Sequence, residues 1–107
     1  MDYLFVYGSL AKDRKNAHLL EALGGEWIPA TVRGRLENQG WGSKMGYPGL
    51  VIDESGELID GFVFSSSHLR SYWKKLDDFE GPEYVRVRTR VLLASGQMIV
   101  ASVYALK

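Results

Sequence analysis

The chain has 107 residues, 46% of them hydrophobic, with 13 basic side chains against 13 acidic ones and no cysteine. That length suits one small domain spanning residues 1–107, able to fold unaided by burying roughly 65% of the surface its extended chain would expose. Zero net charge disfavours nucleic acid as a partner, the missing thiols exclude disulfides, thiolate catalysis and zinc ribbons, and the lack of a signal-like segment or a membrane-length apolar run predicts a cytoplasmic protein that does not enter the membrane.

Tyr3, Leu4, Phe5, Val6 and Tyr7 form a run of β-formers ending at Gly8, the pattern of a central strand buried on both faces. A polar loop over residues 8–15 follows. Asn16 is placed to cap a short helix carrying Ala17, Leu19, Leu20 and Leu23, which Gly24 and Gly25 terminate. Residues 27–36 are extended in character but interrupted by Pro29, and residues 38–48, rich in glycine and aromatics, suit an ordered loop. Residues 50–52 and 58–64 flank Glu54, Ser55, Gly56 and Glu57, which predicts a hairpin. A helix follows over residues 66–79, and then a second hairpin of residues 84–94 and 97–106, turning at Ser95 and Gly96. In its first strand Arg86, Arg88 and Arg90 share one face, read here as solvated. This order gives the α+β class, a mixed and mainly antiparallel twisted sheet or partly closed barrel of about six strands with two helices.

In residues 66–79, Leu69, Tyr72, Trp73, Leu76 and Phe79 recur at three- and four-residue spacing and form one apolar stripe. Carrying the helix on by one residue, at about 100° per residue, sets Glu80 beside Leu69, Trp73 and Leu76. A carboxylate thus points inward. It also sits in the last turn, before Gly81 and Pro82, where the helix-end carbonyls disfavour negative charge. Both effects raise its pKa toward neutrality, the condition a general base needs at physiological pH. His18 and His68 are the only imidazoles and lack metal-ligand spacing, so no metal is expected.

Val6, Tyr7, Gly8, Ser9 and Leu10 run a strand straight into a glycine and a small hydroxyl residue, where backbone amides can face a ligand. The segment lacks the second glycine and Lys-Ser/Thr pair of a P-loop, and Ser9 lacks the frame of a nucleophile elbow. With Asn16 and His18, Tyr47-Pro48-Gly49, Gly61, the run Leu76-Asp77-Asp78-Phe79-Glu80-Gly81, Tyr84 with Arg86, and Val103-Tyr104, it resembles the gamma-glutamylcyclotransferase-like family over essentially the whole chain. The likeness is greatest to the short branch that includes gamma-glutamylamine cyclotransferases.

The resemblance implies a small α+β barrel with a cavity at one end and no cofactor. It implies a catalytic glutamate at Glu80, a γ-glutamyl small molecule held by the backbone of Tyr7, Gly8, Ser9 and Leu10, and cyclisation to 5-oxoproline with release of an amine. A non-catalytic module keeping the glutamyl pocket is the alternative. Tyr84 and Tyr104 are candidates either for the cavity wall or for the core. Residues 11–15 and 38–47, with Trp41, Met45 and Tyr47, are the stretches expected to set leaving-group specificity.

Overall fold

The computed structural model describes residues 2–8, 10–38 and 48–107. Its strands are β1 (Asp2–Val6), β2 (Glu26–Glu37), β3 (Gly49–Ile52), β4 (Glu57–Ser66), β5 (Tyr84–Leu93) and β6 (Met98–Leu106). Two helices join them, α1 (His18–Glu21) and α2 (Trp73–Glu80). The strand order is β3-β2-β4-β1-β6-β5, and a further pairing of β2 with β5 closes the sheet on itself. The result is a closed five-stranded mixed barrel with β3 added outside the ring on β2, which bears out the α+β class with six strands and two helices. Closure rests on Ala30↔Leu93 and Thr31↔Leu92. Only the β1–β6 pairing is parallel among the described strands.

β1 is central, as its composition predicts, and its side chains alternate between two cores. Phe5 faces the barrel interior with Val32, Leu50, Val63, Val91 and Val103. Leu4 and Val6 face outward, where Leu20, Phe64, Leu69 and Leu76 form a second layer between barrel and helices. Leu76 is 1% exposed, and burying such a side chain contributes about 1.5–3 kcal/mol. This outer layer holds α2 against the sheet.

Several elements differ from expectation. Residues 50–52 and 58–64 are not a hairpin, because β3 and β4 take opposite edges of the long strand β2, with Gly34 paired to both Ile52 and Glu57. The turn between them closes against β2, and a Cβ on Gly56 would meet the Gly34 carbonyl oxygen at 2.5 Å. Pro29 does not interrupt β2. Its carbonyl accepts from the Ala94 amide, so its missing N–H falls on that edge and not on the ladder with β4. Asn16 does not cap α1, whose N-cap is Ala17 without a side-chain bond; the chain enters through a series of turns starting at Gly8. The loop over residues 8–15 is not wholly polar, since Leu10 and Ala11 are buried.

The predicted helix over residues 66–79 is shorter. Ser66 ends β4, its hydroxyl donating to the Gly24 carbonyl and accepting from the His68 amide. Leu69–Ser71 is a 3₁₀ turn, Tyr72 leaves helical geometry at φ −113°, and the α-helix begins at Trp73. Among the described residues no helix is long and apolar enough to cross a membrane.

Candidate active site

Glu80 is the last residue of α2. The helix stops there because Gly81 adopts φ +85°, open to glycine and strained for other residues, while its N–H still bonds the Asp77 carbonyl. The stripe of Leu69, Leu76, Tyr72, Trp73 and Phe79 packs on the outer core as its spacing predicts. Burial pushes the Glu80 carboxyl up to about 7. Its charge reaches two phenols and raises both: Tyr7, where burial is the larger cause, and Tyr104, where burial and the hydrogen bond to Asp77 are larger. Tyr84 acts on Tyr7 in the same way. The ends of β1, α2 and β6 and the start of β5 thus bring one near-neutral carboxyl together with three tyrosines.

The sequence-predicted residues divide. Tyr7 and Gly8 lie at the end of β1, Leu10 is buried in the outer core, and Ser9 lies outside the described residues, as do Trp41, Met45 and Tyr47. The Gly8 carbonyl accepts from the Ala11 amide and closes the first turn of the loop. The Tyr7 side chain is a clamp: its hydroxyl donates to the Tyr104 carbonyl at 2.7 Å and accepts from the Leu50 amide at 3.0 Å, tying β1 to β6 and β3. Replacing Tyr7 with phenylalanine strands a carbonyl and a buried amide. That is expected to destabilise by about 1–3 kcal/mol, seen as a lower urea midpoint.

Asp77 and Arg86 are the pair that pattern reading missed. Arg86 is not simply a solvated residue of the β5 face. It donates from Nε and Nη2 to the two Asp77 oxygens, at 2.9 and 3.3 Å, and its guanidinium stacks 4.5 Å from the Trp73 ring centre. The Tyr104 hydroxyl donates to Asp77 at 2.6 Å. Burial alone would raise the Asp77 carboxyl, but the Tyr104 hydroxyl and the guanidinium outweigh it and hold it below the usual range. This network pins the last turn of α2 to β5 and β6, and with it the position of Glu80. Asp77 stands three residues before Glu80 on the same helix face, which places it near that carboxyl but does not mark Arg86 as its partner.

Two openings adjoin these groups. Asp77, Tyr84, Arg86 and Tyr104 line a cleft of about 320 Å³, which puts Tyr84 and Tyr104 on a wall as well as against the core. Tyr7 lines a larger cavity of about 630 Å³ with Ala11, Arg14, Asp60 and Phe62, so the loop expected to bear on specificity forms part of its rim.

Comparison with known proteins agrees with this architecture. The family model for gamma-glutamyl cyclotransferase, AIG2-like proteins matches residues 4–107. Among solved structures, YkqA from Bacillus subtilis is 30% identical with a TM-score of 0.75, the match covering 99% of this chain and 36% of that one. At5g39720.1 from Arabidopsis thaliana is 25% identical with a TM-score of 0.73, covering 98% of this chain and 68% of its own. An aig2-like protein from Mus musculus, 19% identical with a TM-score of 0.71 and coverage of 98% and 76%, shares the fold. The chain spans about a third of the length of the Bacillus protein. Among curated proteins, none matches the sequence. The match over residues 4–107 places this chain in the gamma-glutamyl cyclotransferase, AIG2-like family.

Proposed function

We propose that residues 1–107 act as one cyclotransferase unit that converts a γ-glutamyl amide, whether of an amine, an amino acid or an isopeptide, into 5-oxoproline and the free amine. The observation that carries this reading is Glu80, a half-buried carboxyl held near neutrality beside Tyr7, Tyr84 and Tyr104. Family membership supports it.

The chemistry asks for one such group. The α-ammonium of the glutamyl moiety gives a proton to Glu80, and the freed amine attacks its own γ-carbonyl. A five-membered ring closes through a tetrahedral oxyanion. Collapse breaks the amide C–N bond as the proton returns from Glu80 to the departing nitrogen, and the ring nitrogen gives up its second proton, which the regenerated carboxylate accepts and passes to the released amine as its ammonium. Because the attack is intramolecular, holding the glutamyl chain folded supplies much of the rate, with effective molarities of about 10⁵ M or more for well-oriented groups. Backbone amides of Gly8, Ser9 and Leu10 are assigned to the glutamyl α-carboxylate or the oxyanion. The reaction so written needs no cofactor, and the reading places it in the cytoplasm.

The test is 5-oxoproline release from γ-glutamyl amino acids, γ-glutamyl amines, γ-glutamyl-ε-lysine and glutathione. Turnover of any member supports the reading and names the leaving-group class. Folded protein that is thermally stabilised by 5-oxoproline yet turns over none of the panel is a binding module instead.

A further inference from the structure

The outer face of the β5–β6 hairpin meets the helical layer in a separate polar cleft of about 380 Å³, whose walls include Asp2, Arg70, Trp73, Arg86, Arg88 and Ser102. Three guanidiniums enter this small volume from elements distant in sequence, Arg70 from the 3₁₀ turn and Arg86 and Arg88 from β5. One of them is already neutralised. Arg86 commits Nε and Nη2 to Asp77 and is held flat on Trp73, so it is fixed in orientation with Nη1 outside that ion pair. Asp2, the carboxylate of the lining, accepts from Trp73 Nε1 at 3.0 Å. Among the described residues, neither the Arg70 nor the Arg88 guanidinium has a hydrogen-bond or ion-pair partner. Ser102 stands directly opposite Arg88 in the β5–β6 register and adds a hydroxyl to the same wall.

Like charges gathered in a cleft repel one another unless an anion sits among them. Asp77 and Asp2 offset two of the three guanidinium charges, so the cleft keeps a net excess of one positive charge, in a chain whose charges otherwise cancel. We propose that the cleft binds a small phosphate-bearing molecule, with Arg70, Arg88 and the open edge of Arg86 holding the phosphate oxygens. Guanidiniums are forked donors matched to oxyanions, and one carboxylate fills one fork. A phosphate monoester carries about −1.5 to −2 charge and three acceptor oxygens, enough to answer guanidiniums converging from different directions. A nucleic-acid backbone needs a row of cations along a surface, which 13 acidic residues among 13 basic ones disfavour. The site goes beyond the cyclotransferase reading and does not depend on it, although Arg86 joins it through Asp77 to the helix that carries Glu80.

The test is titration of ¹⁵N-labelled protein with inorganic phosphate and, separately, with glycerol phosphate, at constant ionic strength against chloride. The signals to follow are the arginine Nε–H groups, Trp73 Nε1–H and the Ser102 amide. Expected are saturable shifts at these positions with a Kd of about 1 mM or tighter. Arg70→Gln and Arg88→Gln should each weaken binding about tenfold, the loss of one charge-assisted contact. Arg33→Gln, outside this cleft, should leave it unchanged. Tighter binding of the ester than of inorganic phosphate marks an organic phosphate as the ligand class, and equal binding marks free phosphate; both support the site. Shifts that chloride reproduces, shifts centred on Gly8 and Leu10, or undiminished binding by a folded Arg70→Gln/Arg88→Gln double variant would each overturn it. The readout is binding alone, so a failed activity assay leaves the result intact.

Discussion

Replacing Glu80 with glutamine is expected to lower 5-oxoproline release by about 10³-fold or more while the protein stays folded. General acid–base groups contribute about 10²–10⁴-fold. Here one carboxyl is assigned both proton transfers, the removal from the ammonium and the return to the leaving nitrogen, and an amide at this position performs neither. Glutamine matches glutamate in size and carries no charge to desolvate, so the packing of Leu69, Trp73 and Leu76 in the outer core is retained. Glu80→Asp separates chemistry from position. It keeps the acid but withdraws it by about 1.5 Å, one carbon–carbon bond, and misplacement of about 1 Å costs on the order of 10²-fold. Both variants are assayed with the substrate that the wild-type chain turns over best, beside far-ultraviolet circular dichroism to confirm folding. A Glu80→Gln protein that kept most of its rate would remove Glu80 from the mechanism while leaving family membership untouched.

The burial of Glu80 was legible in the sequence because an acid following an apolar stripe continues the face that packs inward. The stripe survived the shortening of its helix for a physical reason. A 3₁₀ turn followed by an α-helix still brings Leu69, Trp73 and Leu76 to one side, so side-chain spacing fixes the face without fixing where the helix begins. Tertiary pairing was less legible. The loop over residues 53–56 has the composition of a hairpin turn, yet β2 is 12 residues long and takes β3 and β4 on opposite edges. Closure of the barrel depends on two residue pairs, Ala30↔Leu93 and Thr31↔Leu92, and on accumulated strand twist, which no local pattern encodes. The Asp77–Arg86 pair was hidden because Arg86 shares its alternation with Arg88 and Arg90. Only the packing of α2 distinguishes the arginine that meets a carboxylate from the two that do not.

The same carboxyl should make stability and activity run in opposite directions with pH. In the folded chain Glu80 keeps its proton up to about pH 7, whereas its ordinary value is 4.5. Between these values the folded state binds more protons than the unfolded one, so stability falls as pH rises. Below the lower value Glu80 is neutral in both states and costs nothing; above about 7 the full cost applies, on the order of 3 kcal/mol at 1.36 kcal/mol per pH unit. Glu80→Gln removes a charge that the fold disfavours. Relative to wild type it should be more stable by up to that amount at pH 8, and the gap should close toward pH 4.5. Comparing the two proteins cancels the opposite contribution of Asp77, whose depressed carboxyl adds stability that is lost as pH falls. Urea unfolding of both at pH 4.5, 6 and 8 measures the gap, and a gap that did not widen with pH would mean that the carboxyl is solvated in the folded protein. Catalysis requires the ionised form, so kcat/KM should fall about tenfold per pH unit below 7. The pH range in which the proposed mechanism uses Glu80 as a base is therefore the range in which its burial costs the fold most. The Asp77 bonds to Arg86 and Tyr104 lie in the same last turn of α2 and tie that end of the helix to β5 and β6.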